Sequence, residues 1–296
     1  MLKSLLILLA LAAGLLLPQL DDYTYTLRPF LMVLLFFSFV GVKIDRSIFA
    51  WRQALAAALL VPIGFTVYQL GSWYAADLGL TLLLMGLAPT AVITPVLAQI
   101  MHRRVEYMVG ALIVTHLVFA LLMPLVLPGL LGVVLSLRSL GELIFVIGST
   151  VAGPLVLGQL VRRSSKRATA ILGKLQPYTF VLFLSNIAVA AGSLSHYLQY
   201  GEGAPWAFIG IAAGCIAVLM VFNFWLGQRI APVGYGVEGS LALGRKNTML
   251  SIWIALEYIN PLVVLGPMLY ILLQNIFVAG QIAYVQQMDE RSATVF

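Results

Sequence analysis

Long apolar stretches, separated by short polar turns, dominate this chain of 296 residues. Charged residues, proline and glycine divide the sequence into ten of them. They cover approximately residues 3–18, 29–44, 52–73, 78–101, 106–131, 141–161, 171–194, 205–228, 239–258 and 262–285. A membrane-spanning helix needs ~20 apolar residues, so ten spans use almost the whole chain. The sequence therefore predicts an all-α integral membrane protein with about ten transmembrane helices.

The amino-acid composition excludes most other classes of protein. Charged residues make up 9% of the chain and hydrophobic residues 61%, whereas soluble domains carry roughly 25% charged residues. A water-soluble enzyme, a nucleic-acid-binding domain and a disordered protein are therefore excluded. The single cysteine, Cys215, rules out a disulfide framework or a cysteine-based metal site within the chain. We expect no cofactor, and no enzymatic activity, because no Ser/His, His/Glu/His or paired-carboxylate set falls within the spans.

The distribution of Lys and Arg predicts the orientation in the membrane. With a cytoplasmic N terminus, thirteen of the 17 basic residues fall in cytoplasmic segments, and only Arg28 and Arg138 fall on the opposite side. Cytoplasmic loops carry an excess of these residues. We therefore predict a multi-pass protein of the cell inner (plasma) membrane with both termini in the cytoplasm. The net charge of +6 is then a topology signal.

Two of the ten stretches, the fourth and the ninth, are interrupted near their middle. In the fourth, Pro89 and Pro95 each remove a backbone donor and disfavour helix just before them. In the ninth, Arg245 and Lys246 stand inside an apolar run. These two cations either snorkel to the cytoplasmic surface from the start of a shorter helix or lie buried at a helix break. The predicted breaks lie near residues 88–95 and 243–248.

The two interrupted stretches occupy corresponding positions in two halves of the chain. Each half has five spans, and an odd number of spans forces the halves into opposite orientations. The sequence thus predicts a first inverted repeat at residues 1–131, a linker at 132–140 and a second repeat at 141–296. Paired broken segments at matching positions are the best sequence pointer to the midplane binding site of a secondary transporter.

Short motifs spread over most of the chain carry a resemblance to a known family. They are Gly41-Val-Lys-Ile-Asp45, the run from Ala88-Pro89 to Gln99 with the following span to Pro124, Gly244-Arg-Lys-Asn247-Thr248, Gly266-Pro267 and Gln274-Asn275. In these motifs the chain resembles the bile acid:sodium symporter superfamily, whose members have ten spans in two inverted five-helix repeats. The resemblance implies a core domain, in which spans four and nine cross as broken helices. It also implies a panel domain made of spans one, two, six and seven.

The residues that hold sodium in the coupled members of that family are not retained here. Those members carry Gly-Gly-Thr-Ala-Ser-Asn in the first crossover and Glu-x-Gly-x-Gln-Asn in the second. The position of the sodium-binding Glu is Ala242 in this chain, and that of the Gln is Lys246. In the first crossover, Pro95 replaces the Asn and Thr94 replaces the Ser. We therefore expect no sodium site, with Lys246 in the space of the lost ion and supplying its charge.

The resemblance and the charge pattern together imply a secondary transporter of a small organic anion that works by alternating access without sodium. Lys246 and Arg245 would bind the substrate carboxylate, with a mild preference for pantoate-like acids. Burial disfavours the charged form of a lysine, so Lys246 either exchanges a proton in each cycle or stays a permanently charged anchor for uncoupled flux. The alternatives are a non-transporting membrane sensor or scaffold of the same fold, and a sodium-coupled symporter with displaced ion sites.

Other polar residues near the breaks are further candidates. The full set of predicted substrate-binding residues is Lys246, Arg245, Asn247, Thr248, Gln274, Asn275, Thr90 and Thr94. Asn247 and Thr248 either cap a half-helix or contact the substrate. Gln274 and Asn275 match a pair that lies near the substrate in the family, or else they join helices by hydrogen bonds.

Four more polar residues have weaker signals. Thr90 and Thr94 line the first crossover or satisfy carbonyls freed by the prolines, and the second role is favoured. His116, in the middle of span five, is a candidate proton carrier, although a lone histidine there is more often satisfied by a neighbour. All eleven acidic residues fall at or near predicted span ends, with Glu257 closest to the membrane. We therefore expect no intramembrane carboxylate to take part in a proton relay.

Overall fold

Helices make up nearly all of the described chain. The computed structural model describes residues 2–42, 51–132, 134, 136–200 and 205–293. Within these residues lie helices α1 (Leu2–Leu16), α2 (Leu27–Gly41), α3 (Trp51–Ser72), α4 (Ala76–Leu87), α5 (Thr94–Ile100), α6 (Val105–Leu130), α7 (Leu137–Ser164), α8 (Lys166–Leu175), α9 (Thr179–Tyr200), α10 (Trp206–Ile230), α11 (Gly236–Gly244), α12 (Thr248–Tyr258) and α13 (Leu265–Ala293). Short 3₁₀ helices cover Pro18–Thr26, Gln176–Tyr178 and Pro261–Val264.

Among the described residues, seven helical segments are long and apolar enough to cross a membrane, as in a multi-pass membrane protein of the all-α class. Three of the ten predicted spans fall outside this group. The first is the shorter helix α1, and the fourth and ninth are each divided into two shorter helices, α4 with α5 and α11 with α12. The total of ten stays a prediction, because a broken pair crosses the bilayer only if its two halves follow one another through it.

Both interruptions in the sequence coincide with helix ends. Helix α4 ends at Leu87 and α5 begins at Thr94, so the first break spans Pro89. Helix α11 ends at Gly244 and α12 begins at Thr248. Lys43 to Asp45 of the first motif lie outside the described residues, as do residues 133 and 135 of the predicted linker.

The helices pack in a pattern that recurs in the two halves of the chain. Helix α3 packs on α4 as α10 packs on α11, and α5 packs on α6 as α12 packs on α13. Helix α1 contacts α9 as α2 contacts α7. Helices α1, α2, α7 and α9 thus form one group, which contacts the group of the remaining long helices mainly through α6, α12 and α13.

Glycine pairs let the first half of each broken helix lie close to the preceding span. A Cβ atom on Gly86 of α4 would meet the backbone of Gly64 of α3, and a Cβ atom on Gly239 of α11 would meet the backbone of Gly227 of α10. Small residues at helix contacts allow the backbones to approach closely, which strengthens van der Waals packing inside a bilayer. Each broken helix is therefore fixed against an unbroken neighbour, and the break is held in a defined place.

Candidate binding site at the crossing of two broken helices

The two helix breaks meet and pair through their backbones. Thr90 and Lys246 form an antiparallel β-bridge. The Ala91 amide donates to the Arg245 carbonyl at 2.8 Å, and the Asn247 amide donates to the Pro89 carbonyl at 2.8 Å. The helix breaks leave backbone N–H and C=O groups without helical partners, and these bonds supply protein partners in place of water. Inside a bilayer, backbone polar groups need such partners.

Lys246 lies buried at this crossing, with only 1% of its surface exposed. Its Nζ donates to the Gly86 carbonyl at 3.3 Å, in the last turn of α4. The C-terminal end of a helix carries partial negative charge, which favours a cation. The alternative in which Lys246 snorkels to the cytoplasmic surface is therefore wrong.

Arg245 is also buried, and it points towards α13. Its Nη2 donates to the Asn275 side-chain oxygen at 2.8 Å, and its Nη1 donates to the Gln274 carbonyl at 3.4 Å. Its Nε has no hydrogen-bond partner within the described part of the chain. None of the ion pairs among the described residues includes Arg245 or Lys246. Two adjacent buried cations are thus held by neutral acceptors alone.

Gln274 of α13 clamps the backbone of the second break. Its Oε1 accepts from the Lys246 amide at 3.0 Å, and its Nε2 donates to the Lys246 carbonyl at 3.5 Å. The same carbonyl accepts from the Thr248 amide at 3.0 Å. Thr248 itself is buried as the first residue of α12. The predicted residues Gln274, Asn275 and Thr248 therefore all contact the second break.

Asn247 caps α12 and links it to α6. Its side-chain oxygen accepts from the Leu250 amide at 3.3 Å, which leaves the side-chain nitrogen to face Nε2 of His116 at 2.9 Å. The other ring nitrogen of His116 faces the Leu112 carbonyl at 2.8 Å. A ring that accepts at Nε2 and donates at Nδ1 is a neutral imidazole. His116 is therefore satisfied by its neighbours, as expected for a lone intramembrane histidine.

The two threonine hydroxyls at the first break both donate to carbonyls, but only Thr94 bonds a carbonyl freed by a proline, as the sequence favoured. Thr90 donates to the Ala242 carbonyl at 2.6 Å, and Thr94 donates to the Ala91 carbonyl at 2.7 Å. The Thr90 amide donates to the Thr115 hydroxyl at 3.0 Å. Thr90 thus ties the first break to the end of α11, while Thr94 closes a local turn.

Two buried residues at the crossing escaped the sequence interpretation. Tyr270 donates its hydroxyl to the Gly244 carbonyl at 2.7 Å, and Thr115 of α6 supports Thr90. Tyr270 stands four residues before Gln274, which puts both on one face of α13. That spacing could have identified Tyr270, whereas Thr115 gave no signal.

Glu238 lies at the start of α11, near a predicted span end, and it is completely buried. One carboxylate oxygen accepts from the Arg104 amide at 3.0 Å and lies 3.8 Å from the Arg104 guanidinium. The other oxygen has no partner within the described residues. Glu257 is exposed, in keeping with its predicted position at a helix end.

No protein-family model matches this chain, and no curated protein matches it significantly. The function must therefore be argued from the geometry of the crossing.

Proposed function

We propose that this protein is a secondary transporter of a small organic anion that works by alternating access without sodium, with Lys246 taking the place of a transported cation. The supporting observation is the burial of Lys246 against the Gly86 carbonyl, at the C-terminal end of α4, without an ion pair to any carboxylate among the described residues. In transporters with broken helices, unwound carbonyls and half-helix C termini coordinate the coupling cation. A lysine amine at such a carbonyl supplies the positive charge permanently.

The recurring helix contacts support an inverted repeat with the predicted boundaries. Exchanging the two halves converts the contact of α3 with α4 into that of α10 with α11, and the contact of α1 with α9 into that of α7 with α2. In this proposal, α1, α2, α7 and α9 form the panel domain and the remaining long helices form the core domain. Alternating access is then a rocking of one group against the other around the crossing.

The bonds of the two cations suit the capture of an anion. Among the described residues, the Arg245 and Lys246 side chains donate only to amide and carbonyl oxygens. A carboxylate can accept two parallel bonds from a guanidinium and also neutralises its charge, which a neutral amide oxygen cannot do. A substrate carboxylate that reaches the crossing can therefore displace Asn275 from Arg245.

Uptake into proteoliposomes tests this proposal. The purified protein is offered a panel of labelled carboxylic acids, including pantoate, under an anion gradient alone, an added sodium gradient or an added proton gradient. We expect uptake that does not change when potassium replaces sodium. Lys246→Gln keeps a donor for the Gly86 carbonyl but removes the charge, so it should lower uptake by about tenfold or more. Lys174→Gln, at an exposed lysine of α8, is the matched control and should transport normally.

The same experiment separates the other readings of the site. Accumulation driven by a proton gradient and lost in Lys246→Gln identifies Lys246 as the proton carrier. Sodium-dependent uptake that survives Lys246→Gln contradicts the proposal and favours a symporter with displaced ion sites. A folded protein that takes up none of the acids favours the sensor or scaffold.

A further inference from the structure

Helix α8 is a short helix between two long ones, α7 and α9. Extended backbone at Ser165 separates it from α7. The 22 residues of α9 are about 33 Å long at the helical rise of about 1.5 Å per residue, enough to cross a hydrocarbon core of about 30 Å without α8. Helix α8 carries three exposed cations, Lys166, Arg167 and Lys174, and charged side chains are costly inside that core. It therefore lies at a membrane surface.

The protein itself covers little of α8. The helix contacts α2 and α7, but none of its ten residues is buried. Two large apolar side chains stay open, since Ile171 is 52% and Leu175 is 45% exposed. Helices shorter than about 12 residues are marginal in water on their own. Helix α8 therefore gains stability from any apolar surface that covers these two side chains.

The exposed side of α8 carries a basic stripe next to an apolar one. Residues four apart lie on the same face of a helix, so Arg167, Ile171 and Leu175 form one row along α8. Lys166 begins the adjoining row, beside Arg167. A short helix with cations along one edge of an apolar row has the pattern of a helix that lies in the plane of a membrane interface.

Three cations cluster where α7 meets α8. Arg163, Lys166 and Arg167 fall within five positions of the chain and are all exposed. None of them takes part in an ion pair among the described residues. The sequence also has no acidic residue between Glu142 and Glu202. The cluster therefore has no counterion nearby in the chain.

A structural role inside the protein does not explain the cluster. The neighbouring Arg162 has such a role, because its Nη1 donates to the Val40 carbonyl at 2.9 Å. Lys166 and Arg167 stand in the first turn of α8, which has no acidic residue. That end of a helix carries partial positive charge, which disfavours cations. These two side chains therefore do not stabilise their own helix, and an external anion would.

We propose that the exposed side of α8 binds an anionic phospholipid. The surface consists of Arg163, Lys166, Arg167, Ile171 and Leu175, here called the α8 surface. The lipid phosphate contacts the three cations, and the acyl chains cover the two apolar side chains. A phospholipid complements both stripes, whereas a soluble anion complements only the basic one. In the orientation that the basic residues predict, this surface faces the cytoplasmic leaflet, where anionic lipids attract such clusters.

A fluorescence titration of the full chain in dodecyl maltoside tests the α8 surface, with dioctanoyl-phosphatidylglycerol as the probe. An environment-sensitive dye is attached to Gly173→Cys in a Cys215→Ser background. A Cβ atom at Gly173 meets nothing within 4 Å, so the position has room for the dye. We expect a saturable change in emission. Dioctanoyl-phosphatidylcholine, whose headgroup has no net charge, should bind about tenfold or more weakly.

Paired variants separate the charge from the apolar row. Lys166→Gln with Arg167→Gln removes two of the three cations and should weaken phosphatidylglycerol binding by about tenfold or more. Lys166→Arg with Arg167→Lys keeps both charges and should bind normally. Lys174→Gln is the matched control, because Lys174 lies about 12 Å further along α8, beyond the screening length of about 8 Å at physiological salt. Ile171→Gln with Leu175→Gln should weaken both lipids alike.

The controls decide between a lipid and other occupants. Equal affinity for the two lipids, or unchanged phosphatidylglycerol binding in Lys166→Gln with Arg167→Gln, overturns the proposal. Glycerol 3-phosphate should leave the emission unchanged at the same concentrations, and a full response to it would assign the surface to a soluble anion. Polyglutamate that binds as tightly as phosphatidylglycerol would assign it to an acidic protein segment and also overturn the proposal. The titration does not involve transport, so its result is independent of the proposed function.

Discussion

The two helix breaks share a crossing but are built from different chemistry. The first break, from Ala88 to Ile93, contains Pro89. The hydroxyls of Thr90 and Thr94 donate hydrogen bonds to backbone carbonyls there. The second, from Arg245 to Asn247, contains no proline, and it is held by cations and amides that bond across to α13 and α4. Two breaks in equivalent places therefore need not have equivalent roles. The first is a structural support, and the second carries the charge.

The hydrogen bonds show why this difference matters. The Thr90 and Thr94 hydroxyls at the first break donate to neutral backbone oxygens, so no buried charge there needs a ligand. At the second break, Arg245 and Lys246 are buried without a counterion among the described residues, and buried charge is costly unless it is paired. Proteins retain destabilising residues of this kind where function requires them. The comparison therefore predicts that removing the buried charge of the second break raises stability, whereas removing a hydroxyl of the first break lowers it.

The largest expected effect is a gain in stability at the second break. Lys246→Met keeps the length of the side chain but removes the buried charge, and replacing buried ionic groups by apolar ones often stabilises by about 2 to 3 kcal/mol. The thermal unfolding midpoint in nanodiscs should rise while anion uptake falls. Lys174→Met is the exposed control, with no change expected. A lower midpoint for Lys246→Met would mean that the lysine is neutral or that its bond to Gly86 stabilises the crossing.

A smaller effect of the opposite sign is expected at the first break. Thr90→Val keeps the shape of the side chain but leaves the Ala242 carbonyl without its donor, which should cost about 1 to 2 kcal/mol. The free energy of unfolding, from denaturant titration, measures this loss. Thr169→Val removes a hydroxyl that bonds only within its own helix, α8, and should change stability much less. Equal losses in the two variants would remove the distinction drawn for Thr90.

The smallest effect concerns the cap at the boundary of the second break. Asn247→Ala removes the acceptor of the Leu250 amide and the partner of His116, and the loss of a cap typically costs about 1 kcal/mol. Ser136→Ala removes the equivalent cap of α7 at an exposed site. We expect Asn247→Ala to lower the unfolding midpoint more than Ser136→Ala does, because water replaces only the exposed cap. Equal shifts would show that water reaches the crossing.

Much of this arrangement could be predicted from the sequence, because local rules govern it. Pro89 and Pro95 disfavour helix just before them, so the sequence pointed to the first break. Proline alone did not decide it, because Pro62, Pro124 and Pro154 lie inside unbroken helices.

The sequence allowed Lys246 to be either buried at a helix break or extended to the cytoplasmic surface. A lysine near a helix end can reach that surface. Only the packing of α4 beside the second break brings the Gly86 carbonyl within hydrogen-bond distance of the Lys246 amine. The sequence likewise placed Glu238 near a span end, but only the packing shows that it is buried and accepts a bond from the Arg104 amide.

The sequence by itself determined that this is a helical membrane protein with two interrupted segments, because apolar length and proline act locally along the chain. The tertiary structure decided that the two interruptions pair, that Gln274 and Asn275 hold the second one, and that the Arg28 guanidinium of α2 lies over the ring of Trp253 in α12. These contacts join residues that are far apart in the chain, up to 225 positions for Arg28 and Trp253. Their partners are chosen by the packing of whole helices, which no local pattern records.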